Sequence, residues 1–175
     1  AATECWESPF DYLNQAVLYV PENLPEPNDP PFTRAAVDAA LPLIEAARGR
    51  TFFLFTSLRA MREAREWLEA GLQRAGLALP LLMQGEGSRS ELLRRFRKLG
   101  NAVLLGSASF WEGVDVRGEA LQLVIIDRLP FSPPDDPVLA ARIEKINAEG
   151  GNAFMDYQLP QAVITLKQGA GRLIR

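Results

Sequence analysis

Apolar residues fall in two alternating rhythms along most of the chain. Thr51-Phe52-Phe53-Leu54-Phe55, Ala102-Val103-Leu104-Leu105 and Leu121 to Ile126 are short, nearly continuous apolar runs, the pattern of strands buried on both faces. Two further runs are predicted strands: Ala16-Val17-Leu18-Tyr19-Val20, and Leu79 to Met83, whose Pro80 suits a sheet edge. Between the runs the spacing lengthens to a helical period. From Thr33, the residues Val37, Ala40, Leu41 and Ile44 form one stripe, with a kink expected at Pro42 and an end at Gly49. After Thr56-Ser57, Met61, Ala64, Leu68 and Leu72 form a second stripe, stopped at Gly76. Ser88-Arg89-Ser90-Glu91 reads as a capping box opening a third helix with Leu92, Phe96 and Leu99 on one face.

Strands alternating with helices from residue 16 to 126 predict an α/β fold: a mostly parallel sheet, helices on both faces, right-handed crossovers. Ligands in such sheets sit at the C-terminal ends of the strands. Past Pro130 the pattern changes. Residues 131–137 read as a Pro-rich loop, followed by a helix with Asp136 as N-cap, Pro137 at its first position, and Leu139, Ile143 and Ile146 inward. Gly150-Gly151 interrupts it. A last helix begins near Pro160, turns Val163 and Leu166 inward, and runs into Gln168. Pro21 to Pro31 is a loop, and no internal repeat or low-complexity segment is present.

At 175 residues and 47% hydrophobic content, the chain suits one domain, or one domain with an inserted arm. A net charge of −3 argues against a free-standing nucleic-acid binder, which is usually basic, but not against half of a binding channel. The absence of His excludes Ser-His-Asp and Cys-His nucleophiles. Cys5 alone excludes an internal disulfide and a Cys-built metal cluster, and fits a reducing compartment; a cytoplasmic location is expected. No apolar run approaches the length of a membrane-spanning helix, so no membrane partner is expected.

The candidate chemistry lies in three places. Gln168-Gly169-Ala170-Gly171-Arg172-Leu173-Ile174-Arg175 sets Gln168, Arg172 and Arg175 in a Q-x-x-G-R-x-x-R frame, so that on a helical turn the three polar groups can converge. The guanidinium fork matches phosphate oxygens; a helix end with cations favoured by the dipole is the plainer account. Gly106 to Asp115 follows the fourth strand and offers Gly106 and Gly113 for close backbone approach, Ser107 and Ser109 for phosphate oxygens, and Asp115 for a ribose hydroxyl; an ordinary Gly/Ser loop around a packed Trp111 has the same composition. Thr56-Ser57 ends the second strand and starts a helix, either as a simple cap or as a phosphate site. Gln84-Gly85-Glu86-Gly87 lacks the flanks of a dinucleotide fingerprint. Leu123-Val124-Ile125-Ile126-Asp127 has the look of a Walker B strand. The chain has no G-x-x-x-x-G-K-[ST] cradle, however, and a structural role is expected for Asp127.

Taken with Ser8-Pro9-Phe10-Asp11-Tyr12, Leu54-Phe55-Thr56-Ser57 and Arg128-Leu129-Pro130-Phe131, the stretches Ser109-Phe110-Trp111-Glu112-Gly113-Val114-Asp115 and Leu166 to Arg175 resemble motifs IV, V and VI of superfamily 2 helicases. The resemblance is to the DinG/YoaA branch, relatives of the XPD helicases, and spans nearly the whole chain in order. It implies the second RecA-like motor domain of an ATP-dependent 5′→3′ DNA helicase, with a role in DNA repair, the chain stopping within motif VI and residues 131–159 forming an insertion. ATP with Mg²⁺ would lie between this domain and a first RecA-like domain of the same protein. That first domain would carry the Walker motifs and, in many relatives, an iron–sulfur cluster. Arg172 and Arg175 would reach the γ-phosphate, and Gln168 would couple that site to nucleic acid. Glu112, Gly113 and Asp115 would face the nucleotide. Thr56, Ser57, Ser107 and Ser109 would touch single-stranded DNA. This half-motor would be inert alone. A non-catalytic RecA-like module binding protein or nucleic acid is the other reading.

Overall fold

Four strands pair side by side in the order β2-β3-β1-β4, every pair parallel. The computed structural model describes residues 11–107, 110, 116, 118–132 and 135–173. In it β1 is Thr51–Leu54, β2 is Leu81–Met83, β3 is Val103–Gly106 and β4 is Leu123–Ile126. β1 is central: Phe52 is level with Leu104 on one side and Val124 on the other. Side chains on successive residues of a strand point to opposite faces, and both faces of β1 and β3 are buried. Phe52, Leu54 and Leu104 enter one core cluster; Phe53, Phe55, Val103 and Leu105 enter the other. That is why these strands read as unbroken apolar runs and not as alternating ones.

Helices cover the two faces. α2 (Phe32–Ala46) and α3 (Leu58–Arg74), after a short α1 (Tyr12–Gln15), bury Val37, Ala40, Ile44, Met61, Ala64, Leu68 and Leu72 on the side of Phe53. α4 (Arg89–Leu99) buries Leu92, Leu93 and Phe96 on the side of Phe52, whose ring meets that of Phe96 at 4.8 Å between centroids. The result is the expected three-layer α/β domain. Helix starts follow the sequence closely: Ser57, Ser88 and Asp136 accept from backbone N–H groups of the first turns of α3, α4 and α5 (Pro137–Ala148), each satisfying a donor that the helix itself cannot. The chain ends α2 with Gly49 at φ +76°, where a Cβ would stand 2.1 Å from the Asn101 carbonyl oxygen. α2 runs through Pro42.

Three expectations are corrected. Residues 16–20 form no strand: Val17 and Leu18 are 94% and 90% exposed. An apolar run makes a strand only with a neighbour to bond to, and among the described residues this one has none. Leu99, expected inward on α4, is exposed, because it lies in the last turn beyond the reach of the sheet. Val163 is also exposed. The last helix, α6 (Leu159–Ala170), follows a π-helical turn at Phe154–Gln158 and buries Ala162 and Gly169 instead. Ala162 and Gly169, seven residues apart, share one face of this helix, and Val163 lies one residue, about 100°, away from it. Pro80 sits where expected, beside an edge strand, with its carbonyl accepting from the Val103 amide. No helix among the described residues is long and apolar enough to cross a membrane.

Candidate nucleotide and nucleic-acid interface

The C-terminal ends of the parallel strands gather Gln84, Ser107, Thr56 and Asp127, and two cross-links hold them. The first joins β2 to β3. Ser107, buried after β3, donates both its amide (2.7 Å) and its hydroxyl (3.0 Å) to the Gln84 side-chain oxygen. One acceptor with two lone pairs is thereby filled, and Ser107 is turned toward its neighbour strand. Gly106 just before it lies under Phe110: a Cβ there would meet the ring atoms at 2.8 Å. Phe110 is itself buried, with the Arg89 guanidinium 5.9 Å over its ring. The glycine of this loop is thus needed for packing of its own aromatic neighbour.

The second cross-link joins β1 to β4. The Thr56 amide donates to Asp127 Oδ1 at 2.9 Å. Asp127 follows β4 and its side chain is only 3% exposed. Burial pushes its carboxyl up to about 6; the Thr56 amide and hydroxyl and the Arg128 charge pull the other way without overcoming it. Among the described residues neither Asp127 Oδ2 nor Arg128 Nε has a hydrogen-bond partner, although they lie 3.9 Å apart. The Arg128 guanidinium instead rests 4.8 Å from the Phe32 ring. The structural role expected of Asp127 is therefore that of an internal anion that fixes Thr56. Ser57, exposed, spends its oxygen on the Ala60 amide as N-cap of α3. In this arrangement Thr56 and Ser57 present an ordered loop end at the mouth of a long helix, where an anion is favoured.

The loop between β2 and α4 is pinned as well. Arg65 donates to Glu86 at 2.8 Å, and Glu86 accepts from the Met83 amide at 3.0 Å. Burial raises the Glu86 carboxyl, but the Arg65 and Met83 hydrogen bonds and the Arg65 and Arg95 charges outweigh it and hold it below its ordinary value.

Gln168 lies exposed near the end of α6. That helix and the 3₁₀ turn Gly171–Leu173, which contains Arg172, both pack against β4. The terminal motif therefore reaches the sheet through the strand that carries Asp127. Ser8-Pro9-Phe10, Ser109, Glu112, Gly113, Asp115 and Arg175 lie outside the described residues. Of the predicted contacts, the structure brings Thr56 and Ser107 to the same strand ends and leaves Gln168 on the flank. Sequence reasoning gave Asp127 a structural role without its partner, and passed over Gln84 as a contributor. Their position directly after a strand was a signal, though it could not name a partner.

A family model for the helicase C-terminal domain matches residues 40–175. The chain belongs to that family. Similar proteins include the ATP-dependent DNA helicase YoaA of Escherichia coli, 54% identical over 168 residues, and the ATP-dependent helicase DinG of Mycobacterium tuberculosis, 43% identical over 169 residues. Each alignment covers 96% of this chain, with 26% and 25% of the relative. The 3′-5′ exonuclease DinG of Bacillus subtilis is 35% identical, matching 97% of this chain and 18% of its own. The chain thus spans about a quarter or less of the length of these relatives. A solved XPD helicase structure superimposes with a TM-score of 0.58 at 22% identity, covering 81% of this chain and 25% of that one, which supports the RecA-like α/β assignment of the fold.

Proposed function

We propose that this domain is the second motor domain of an ATP-dependent DNA helicase of 5′→3′ polarity that acts in DNA repair. It would close on a first RecA-like domain of the same protein around ATP with Mg²⁺. The observation that carries the reading is the packing of α6 and the Gly171–Leu173 turn on β4. It ties the Gln168–Arg172 frame to the strand whose Asp127 holds the Thr56 loop. Arg172 and Arg175 are phosphate-directed donors, and carry no metal-ligating oxygen; they fit the outer wall of a nucleotide site, and Mg²⁺ would be held by the first domain. Bound Mg²⁺·ATP would supply the phosphoryl group and neutralise its charge. Arg172 and Arg175 would place guanidinium donors against the γ-phosphate oxygens as charge develops there. Gln168, on the helix that packs against β4, would couple that site to nucleic acid. Glu112, Gly113 and Asp115 would face the nucleotide, while Thr56, Ser57, Ser107 and Ser109 would hold single-strand phosphates. Any four-cysteine iron–sulfur cluster would belong elsewhere in the protein, since this chain has Cys5 alone.

Arg175→Ala in the intact protein tests the reading. An arginine finger acts on the transition state, so ATP affinity by fluorescence titration should stay close to wild type. Steady-state ATPase under saturating single-stranded DNA should fall by roughly 10³ or more. Arg175→Lys should recover little, because an ammonium lacks the bidentate fork. A kcat for Arg175→Ala within about threefold of wild type, far short of a finger's effect, makes the residue a helix-end cation and removes the half-motor assignment.

A further inference from the structure

Within an acidic chain of net charge −3, α4 is strongly basic: Arg89, Arg94, Arg95, Arg97 and Lys98 stand against Glu91 alone. α3, by contrast, mixes its four arginines with three glutamates, and Arg65 pairs with Glu69 and Glu86. Leu92, Leu93 and Phe96 turn inward on α4, and Arg94, Arg95 and Lys98 are exposed. Among the described residues no carboxylate lies within ion-pair distance of these three; Glu86, on which the Arg95 charge acts from farther off, is already hydrogen-bonded to Arg65 and the Met83 amide. The helix dipole accounts for cations in the last turn, at Arg97 and Lys98, and not for Arg94 and Arg95 one turn earlier. Arg94 and Lys98 are four apart and share a ridge, with Arg95 on its flank. Three like charges held this close repel one another, a cost that an anionic partner would reverse. Two of the three are arginines, whose planar forks suit phosphate.

The position of the helix decides which phosphate. α4 starts one short loop after Gln84, whose side chain holds Ser107, and Arg89 in its first turn lies over Phe110. Its axis then extends for about 16 Å at 1.5 Å per residue, away from the strand ends. We propose that the exposed face of α4, at Arg94, Arg95 and Lys98, is a second nucleic-acid contact. It grips the phosphodiester backbone of DNA that continues past the strand ends; this rests on the reading of those ends as a DNA path. The contact reads no bases, because it offers only charge and phosphate-directed donors.

The test uses the intact protein and the triple variant Arg94→Gln/Arg95→Gln/Lys98→Gln, glutamine being close to both residues in helix propensity. A control variant, Arg34→Gln/Arg62→Gln/Arg74→Gln, removes the same charge from the opposite face of the sheet. Probes are a short oligothymidine that fills only the strand ends, a long one, and a junction of single strand with duplex. Binding is measured across a salt series. The α4 variant should bind the long strand or the junction about tenfold more weakly, with a salt slope shallower by about 2, near 0.7 for each single-strand phosphate that goes unneutralised. It should bind the short strand as wild type does, and the control variant should bind all three normally. Weaker binding on the junction alone assigns the contact to duplex, on both to single strand; each supports the proposal. Equal affinity and slope on all probes leaves α4 a solvated face and overturns it, as does an equal weakening in the control variant. If wild type binds no short strand, the strand-end reading fails; a weakening specific to the α4 variant on the longer probes would still stand by itself. Should the triple variant melt early, each single variant should lower the slope by about 0.7, and three unchanged slopes overturn the proposal.

Discussion

Asp127→Asn should make the domain more stable at pH 8 and not at pH 4. The carboxyl is 3% exposed, and burial lifts it from an ordinary 3.8 to about 6 in the folded chain. A carboxyl with a raised folded pKa is held more readily in its neutral form. The fold therefore keeps its full stability below pH 3.8 and loses it as pH rises through about 6, because the unfolded chain releases the proton first. About two pKa units at 1.36 kcal/mol each put the loss near 3 kcal/mol at pH 8, with roughly half a kcal/mol of it already present at pH 4. Asparagine keeps an oxygen for the Thr56 amide, now 2.9 Å from Oδ1, and carries no charge to desolvate. Its amide nitrogen would face Arg128 Nε, which lies 3.9 Å from Oδ2. That donor-to-donor approach costs about 1 kcal/mol, but it is the same at both pH values and cancels from the comparison.

The quantity to measure is thus a difference of differences: variant minus wild type at pH 8, less the same at pH 4, by urea denaturation of the chain. The expected value is about 2.5 kcal/mol in favour of the variant at pH 8. In a chain of this size that corresponds to a melting temperature moved by roughly 5–10 °C. A variant equally stabilised or equally destabilised at the two pH values would show that Asp127 ionises in the fold as it does in water, and the account of a buried internal anion would be refuted.

Gly49→Ala should destabilise by more than about 2 kcal/mol in thermal or urea melts, since the added Cβ lies 2.1 Å from a backbone oxygen at φ +76°; a melt within a degree of wild type would contradict it. Gln84→Leu should leave the Ser107 amide and hydroxyl without their acceptor, at a cost of about 1–3 kcal/mol, and should raise hydrogen exchange at Ser107 itself; unchanged exchange there would mean the cross-link does not hold the loop.

What could be read beforehand was whatever a local pattern determines. Phe52 to Phe55 and Val103 to Leu105 had to be doubly buried strands because every position is apolar, and Ser57, Ser88 and Asp136 had to be caps because each precedes a helical stripe with an oxygen free to accept. Ala16 to Val20 shows the limit of the same rule, since its five residues have the composition of a strand and stand in solvent. Val163 shows another: α6 turns the small residues Ala162 and Gly169 inward and leaves the larger Val163 exposed, the reverse of what side-chain size suggests. The candidate site was legible as a set of loops after strands, but its construction was not. Ser107 is 23 residues from Gln84 and Thr56 is 71 from Asp127. Gln84 in isolation is part of a weak glycine motif, and Asp127 in isolation is an acid after an apolar strand. Only the strand order puts β2 beside β3 and β4 beside β1. Both residues then become acceptors for a neighbouring strand end, and the two loops at the candidate DNA path become a rigid pair. A sequence states which residues can accept a hydrogen bond. Which donor each receives is settled by the sheet order, and here that order joins Thr56 to the strand on which the Gln168 helix packs.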